Sequence, residues 1–338
     1  MANAAATALH RDALVIDGLI FLSDGDVSAL KAGGVDVVNL TVSNFITDFT
    51  TTCDEIAAWC AALAAPASPW HLVLSAEDIA LARTAGRIGL IMGWQNMRPI
   101  EDKLERLALF HRLGVRVMQL TYNERNFIGD GCLEPHDAGL SRFGRRVIAE
   151  MNRLGLAIDL SHVGERTCLE AAEVSTRPVL VTHANAKAVS DVPRNKSDAV
   201  IKAVAATGGT IGLSVYGPMC WDGRNRPRLE DFLRHLEHVV ELVGIEHVAF
   251  GTDFPAVSDL SKLDRLIATT LERYPGAVSS YARAFGNDIR TRYLEDCGSP
   301  RDLGAITALL IGRGWAERDV RAFLGENLRR VLGAIWGG

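Results

Sequence analysis

Leu156-Ala-Ile-Asp-Leu-Ser-His162 and Pro178-Val-Leu-Val-Thr-His183 decide how this chain folds. Each is a short apolar run that ends in a histidine, and between them Gly164 to Thr176 is long enough for one polar-faced helix. Strand, crossover helix and strand make a βαβ unit, whose two strands lie parallel. His162 and His183 then stand at the carboxyl ends of neighbouring strands, on one rim. Parallel α/β folds place their chemistry on that rim.

Working outward, the same alternation continues on both sides. Ala13–Ile16, Val35–Val42, Ile88–Met92 and Val115–Leu120 precede the unit, and Gly209–Val215 and His247–Thr252 follow it. Helical periodicity fills the gaps, as in Glu101–Leu113, with Leu104, Leu107, Phe110 and Leu113 on one face, and in Leu229–Val243. Eight strand runs alternating with helices predict a (β/α)₈ TIM barrel in the α/β class. A doubly wound sheet would need fewer strands and usually a Gly-x-Gly-x-x-Gly turn, which the sequence lacks. Residues 1–338 read as a single barrel domain, with a partly helical insertion over 255–300 near the rim and closing helices over 301–338.

Composition narrows the function. The balance of 48% hydrophobic and 23% charged residues is that of a soluble globular protein, and a net charge of -5 gives no footprint for nucleic acid. No apolar run is long enough to span a membrane, and the N-terminus has no basic start of a signal peptide. Six scattered cysteines without a Cys-x-x-Cys pair read as reduced thiols, so a cytoplasmic location is expected.

In a barrel the ends of all eight runs meet at one mouth. They bring Asp17, Gln95-Asn96, Tyr122-Asn123, His162, His183, Ser214 and Asp253 together. His162, His183 and Asp253 make a two-His-one-carboxylate set of the kind that holds Zn²⁺ and leaves a position open for water. Asp253 has a second reading, as general base on that water. Arg194, in the loop after His183, suits a bidentate clamp for a substrate carboxylate, and Tyr122 and Asn123 suit the pocket wall. His235 and His238, three apart on a helix, read as a solvated face.

These residues also sit inside longer matching segments. Gly139-Leu-Ser-Arg-Phe-Gly144, Met151-Asn-Arg-Leu-Gly155, Ile158-Asp-Leu-Ser-His162, Val181-Thr-His183, Pro193-Arg-Asn195, Gly251-Thr-Asp-Phe254 and Glu326-Asn-Leu-Arg-Arg-Val331 resemble the membrane (renal) dipeptidase family. The resemblance implies an amidohydrolase-type metallohydrolase that cleaves dipeptides with zinc. It assigns His162 and His183 to the second of two zinc ions, Asp253 to the first and to proton handling, and Arg194 to the substrate carboxylate. Family members are often homodimers, and the segment around Tyr274 to Tyr293 is a candidate contact.

The likeness breaks at three places on the other half of the site. The family's first strand ends Asp-Gly-His-x-Asp, where this chain has Asp17-Gly-Leu-Ile-Phe21. Its bridging glutamate falls at Gln95, and a substrate-binding histidine at Tyr122. Leu19 and Phe21 cannot ligate, and Gln95, an expected weak oxygen ligand, brings no charge. One ion rather than two is the expectation. A lyase or isomerase acting on a small carboxylate, and a silent ligand-binding barrel, are the competing readings.

Overall fold

The computed structural model describes residues 2–274, 279–286 and 288–337. Ten strands run in chain order: β1 Ile16–Ser23, β2 Val37–Ser43, β3 Trp70–Leu72, β4 Ile88–Trp94, β5 Val115–Gln119, β6 Ala157–Asp159, β7 Leu180–Val181, β8 Thr210–Leu213, β9 Val248–Phe250 and β10 Phe254–Ala256. Every pairing is parallel, in the order β10-β1-β2-β4-β5-β6-β7-β8-β9, with β3 added outside β4. β9 pairs with β8, and β10, a few residues later, pairs with β1. The eighth run is therefore one strand interrupted at Asp253, and the interruption is where the barrel shuts.

Local signals explain the hand-off into the site. The helix Arg142–Leu154 starts on Ser141, whose Oγ accepts from Gly144 N at 2.8 Å, and stops at Gly155 with φ of 71°. Its inward residues Val147, Ile148 and Met151 are buried against the core. The chain then enters β6 and reaches His162. The helix Leu229–Val243 falls where periodicity puts it. Glu101–Leu113 is shorter than its period, Arg106–Arg112, because a 3₁₀ turn around Pro99 occupies its approach. Trp70–Leu72, beside the Pro66 and Pro69 breaker, adds a strand that no alternation announces.

The barrel interior under the site is filled partly by backbone. A Cβ on Gly251 would lie 2.0 Å from Thr182 O, and one on Gly212 would lie 2.1 Å from the same oxygen. Real Cβ atoms do not approach that closely, so these positions exclude any side chain. After the barrel, helices Leu260–Arg273 and Ser279–Phe285 and a 3₁₀ turn Ile289–Arg292 bring Thr270, Tyr274, Tyr281 and Arg292 to the mouth. Part of the expected dimer contact, residues 275–278 and 287, lies outside the described residues.

His235 corrects the reading from spacing. It is fully buried, with Nδ1 accepting from Ala186 N at 3.2 Å, because the helix turns this face onto the loop after β7. Only His238 is partly exposed, with Nε2 at 2.8 Å from Asp198. Burial, aided by Arg234, pushes the His235 pKa down to about 3. An unfolded histidine protonates near 6.5, so the folded state loses stability as pH falls from there toward 3. Between pH 7 and 5 the loss from this group is about 2 kcal/mol. His235→Gln should flatten the acid limb of a urea-unfolding pH profile by about that amount; an unchanged limb refutes the assignment.

Candidate active site

Two imidazoles form the centre. His162 Nδ1 lies 2.7 Å from Asn123 Oδ1, an oxygen that only accepts, so Nδ1 carries the proton. His183 Nδ1 lies 2.8 Å from Thr182 Oγ1, whose own hydrogen goes to Asp159 Oδ2 at 2.7 Å. The hydroxyl must therefore accept from His183 as well. Burial, with Arg194 next in effect, holds both histidines well below their ordinary pKa, so both rings are neutral. Their Nε2 lone pairs then face each other at 3.1 Å. Two lone pairs at that distance repel unless a cation lies beside both.

That spacing suits one metal. Two nitrogens bound tetrahedrally at the usual 2.0–2.1 Å stand about 3.3 Å apart. The backing of each ring by an oxygen is the arrangement that orients metal-binding histidines. Among the described residues, however, no three His, Cys, Asp or Glu side chains gather closely enough to hold an ion. Asp253 lines the same cavity without completing such a group.

Asp253 sits at the strand interruption with φ of 59°, a left-handed conformation that Asp tolerates better than most residues. Its backbone is pinned twice: its N–H donates to Leu19 O at 3.0 Å, and its carbonyl accepts from Tyr293 Oη at 2.5 Å. Next to it, Thr252 donates from N and Oγ1 to Asp17, at 2.8 and 2.6 Å. Burial raises both carboxyls to about 7, against the pull of Thr252 on Asp17 and of Arg194 on Asp253.

The cavity over this centre measures about 280 Å³ and is walled by Tyr122, Asn123, His162, Arg194, Tyr216 and Asp253 among others. Arg194 hangs over it by donating to the carbonyls of Ser161 and His183. Tyr122 is stacked between Phe45, 4.1 Å away, and His162, 4.0 Å away. Burial, then Asp253, raises its pKa well above the usual value, so it stays a hydrogen-bond donor.

A second chamber of about 100 Å³ adjoins, sharing Tyr122, Tyr216, Asp253 and Arg292 with the first. Phe21 and Gln95 line it, and Leu19 is buried, its backbone N–H donating to the Asp17 carboxylate at 3.1 Å. Gln95 Nε2 donates to Thr41 Oγ1 at 3.0 Å while its buried Oε1 has no partner. Of the site residues expected from the sequence, Tyr122, Asn123, His162, Arg194 and Asp253 line the first cavity, Gln95 lines the second chamber, and His183 is buried against His162.

Sequence reasoning missed Asp159, Thr182, Tyr216 and Arg292. One signal was available for the first two. Thr182 precedes His183 as Thr252 precedes Asp253, and each threonine bonds a buried strand aspartate, Asp159 at the end of β6 or Asp17 near the start of β1. Arg292 had none, because it lies in the segment without periodicity.

Comparisons with known proteins agree with the barrel fold. Residues 22–290 match the family described as Membrane dipeptidase (Peptidase family M19). An uncharacterized dipeptidase of Schizosaccharomyces pombe is 32% identical over 209 residues, 58% of this chain and 50% of that protein. Dipeptidase verJ of Clonostachys rogersoniana is 32% identical over 215 residues, 58% of this chain and 55% of that one. The chain spans about half the length of the curated relatives it matches. Among solved structures, an amidohydrolase from Pseudomonas aeruginosa superposes with a TM-score of 0.85 at 31% identity, covering 98% of this chain and 99% of that one. A metallo peptidase from Rhodobacter sphaeroides, liganded with a phosphinate mimic of L-Ala-D-Ala, shares the fold with a TM-score of 0.79 at 21% identity, over 96% and 100% of the two chains. No described helix is long and apolar enough to cross a membrane.

Proposed function

Because the chain belongs to the membrane dipeptidase family, we propose that it is a metal-dependent hydrolase that cleaves the peptide bond of a small carboxylate-bearing substrate such as a dipeptide. In this reading the whole chain works as one barrel, and the 255–300 segment forms part of its rim. The observation that carries the reading is the pair of Nε2 lone pairs converging at 3.1 Å, with His162 on the cavity wall and His183 buried directly behind it.

His162 and His183 would hold one zinc ion. The positions that a second ion needs are Leu19 and Phe21, whose side chains cannot donate, so a second ion does not fit. Bound there, the ion supplies Lewis-acid polarisation of the scissile carbonyl. The rest falls to the chain. Arg194 has guanidinium hydrogens beyond the two given to carbonyls, and these take the substrate carboxylate. Asp253, poised near neutrality, accepts the proton of the attacking water at its carboxylate and returns it to the leaving amine. Tyr122 Oη donates toward the carbonyl oxygen as its charge grows.

Elemental analysis joined to a dipeptide panel tests this. The expected result is about one zinc per chain with hydrolysis that chelation abolishes. Leu19→His, Phe21→Asp and Gln95→Glu together should raise the count from about one to about two. Protein that binds carboxylated ligands yet takes up no metal and cleaves nothing would establish the silent barrel instead.

A further inference from the structure

Arg292 is a buried cation without a counter-charge. It is 5% exposed and ends the 3₁₀ turn Ile289–Arg292. Nη1 donates to Tyr216 Oη at 3.1 Å, while Nη2 is enclosed and has no acceptor. Among the described residues no carboxylate lies within ion-pairing distance of it. Surface arginines such as Arg145 and Arg228, by contrast, each have at least one. An enclosed guanidinium with an open donor is costly unless something anionic meets it.

Its place says where that anion comes from. Arg292 lines both the 280 Å³ cavity and the 100 Å³ chamber. Among the described residues Asp253 is the one acid on the wall of either, and its neighbouring cation is Arg194. The charge of Arg292 acts on Tyr216 and Tyr293 instead. Two arginines therefore face a cavity that contains one carboxylate, and only one of them is needed for a single substrate carboxylate.

We propose that Arg292 is a second carboxylate-binding residue, and that the substrate class is small molecules with two carboxylates, such as dipeptides carrying an acidic side chain. The proposal rests on the reading of Arg194 as the first clamp. One carboxylate sits at Arg194 near the histidine pair, and the other lies toward the chamber that Gln95 and Phe21 line. A planar carboxylate suits the unpaired guanidinium donor.

Equilibrium binding of glutarate and of glutaramate, its monoamide of equal length, tests this without turnover. In the unaltered protein glutarate should bind at least about tenfold more tightly, the usual scale for losing a charge-assisted hydrogen bond. Arg292→Gln should bring the two ligands within about threefold of each other, and Arg292→Lys should restore part of the difference. Equal binding in the unaltered protein overturns the proposal whether or not the variants fold, and so does discrimination that survives Arg292→Gln. Arg194→Gln should weaken both ligands alike. If it leaves both untouched, the first clamp is wrong and the two-carboxylate class falls with it, which separates that failure from a failure of Arg292 alone.

Discussion

Replacing His183 with alanine is expected to remove the metal and, with it, at least about 10³-fold of kcat/KM. One nitrogen remains at His162, and a single neutral imidazole with its Asn123 partner does not retain zinc against buffer. The cost to folding should be small by comparison. Thr182 Oγ1 loses a donor but keeps its bond to Asp159, and about 1–2 kcal/mol covers the gap. Elemental analysis and a thermal melt on the same preparation check both halves. Metal retained at about one per chain, or activity within tenfold of the parent, would place the ion elsewhere.

The second large effect concerns folding. Gly251→Ala puts a methyl 2.0 Å from Thr182 O, and the obstacle is backbone inside a parallel barrel, so no rotamer change relieves it. Strands must separate where β9 passes Thr182. A loss of more than about 4 kcal/mol is expected, the range of severe overpacking, seen as a Tm at least about 6 °C lower or as insoluble protein. Gly312→Ala is the control. It ends a helix, meets nothing within 4 Å, and should leave Tm unchanged or slightly raised. A soluble Gly251→Ala protein that melts with the parent would show that the barrel yields here.

The barrel was legible because a fully buried parallel strand must be apolar along its length. Each run from Val35 to Thr252 announces itself, and its last polar residue marks the mouth; the first, read over Ala13–Ile16, lies ahead of the observed β1, Ile16–Ser23. His162, His183 and Asp253 could be read for that reason. Boundaries shifted where a local turn competed with periodicity, as Pro99 did before Arg106–Arg112. His235 was misread because spacing tells which residues share a face, but not which surface that face meets. Arg292 was invisible for a different reason. Its significance lies in lacking a partner, and only coordinates reveal a missing partner.

The interruption of the last strand at Asp253 also sets when the site can exist during synthesis. His162 and His183 leave the ribosome early, but Gly251, which packs on the carbonyl of Thr182, is 68 positions behind His183. Thr252 then closes the ring on Asp17, 235 residues away in sequence. At about 5–20 residues per second, the nascent chain spends about 3–14 seconds with both histidines made and no floor beneath them. A growing chain of this kind carries the residues of the proposed site but cannot assemble them until its final strand is in place.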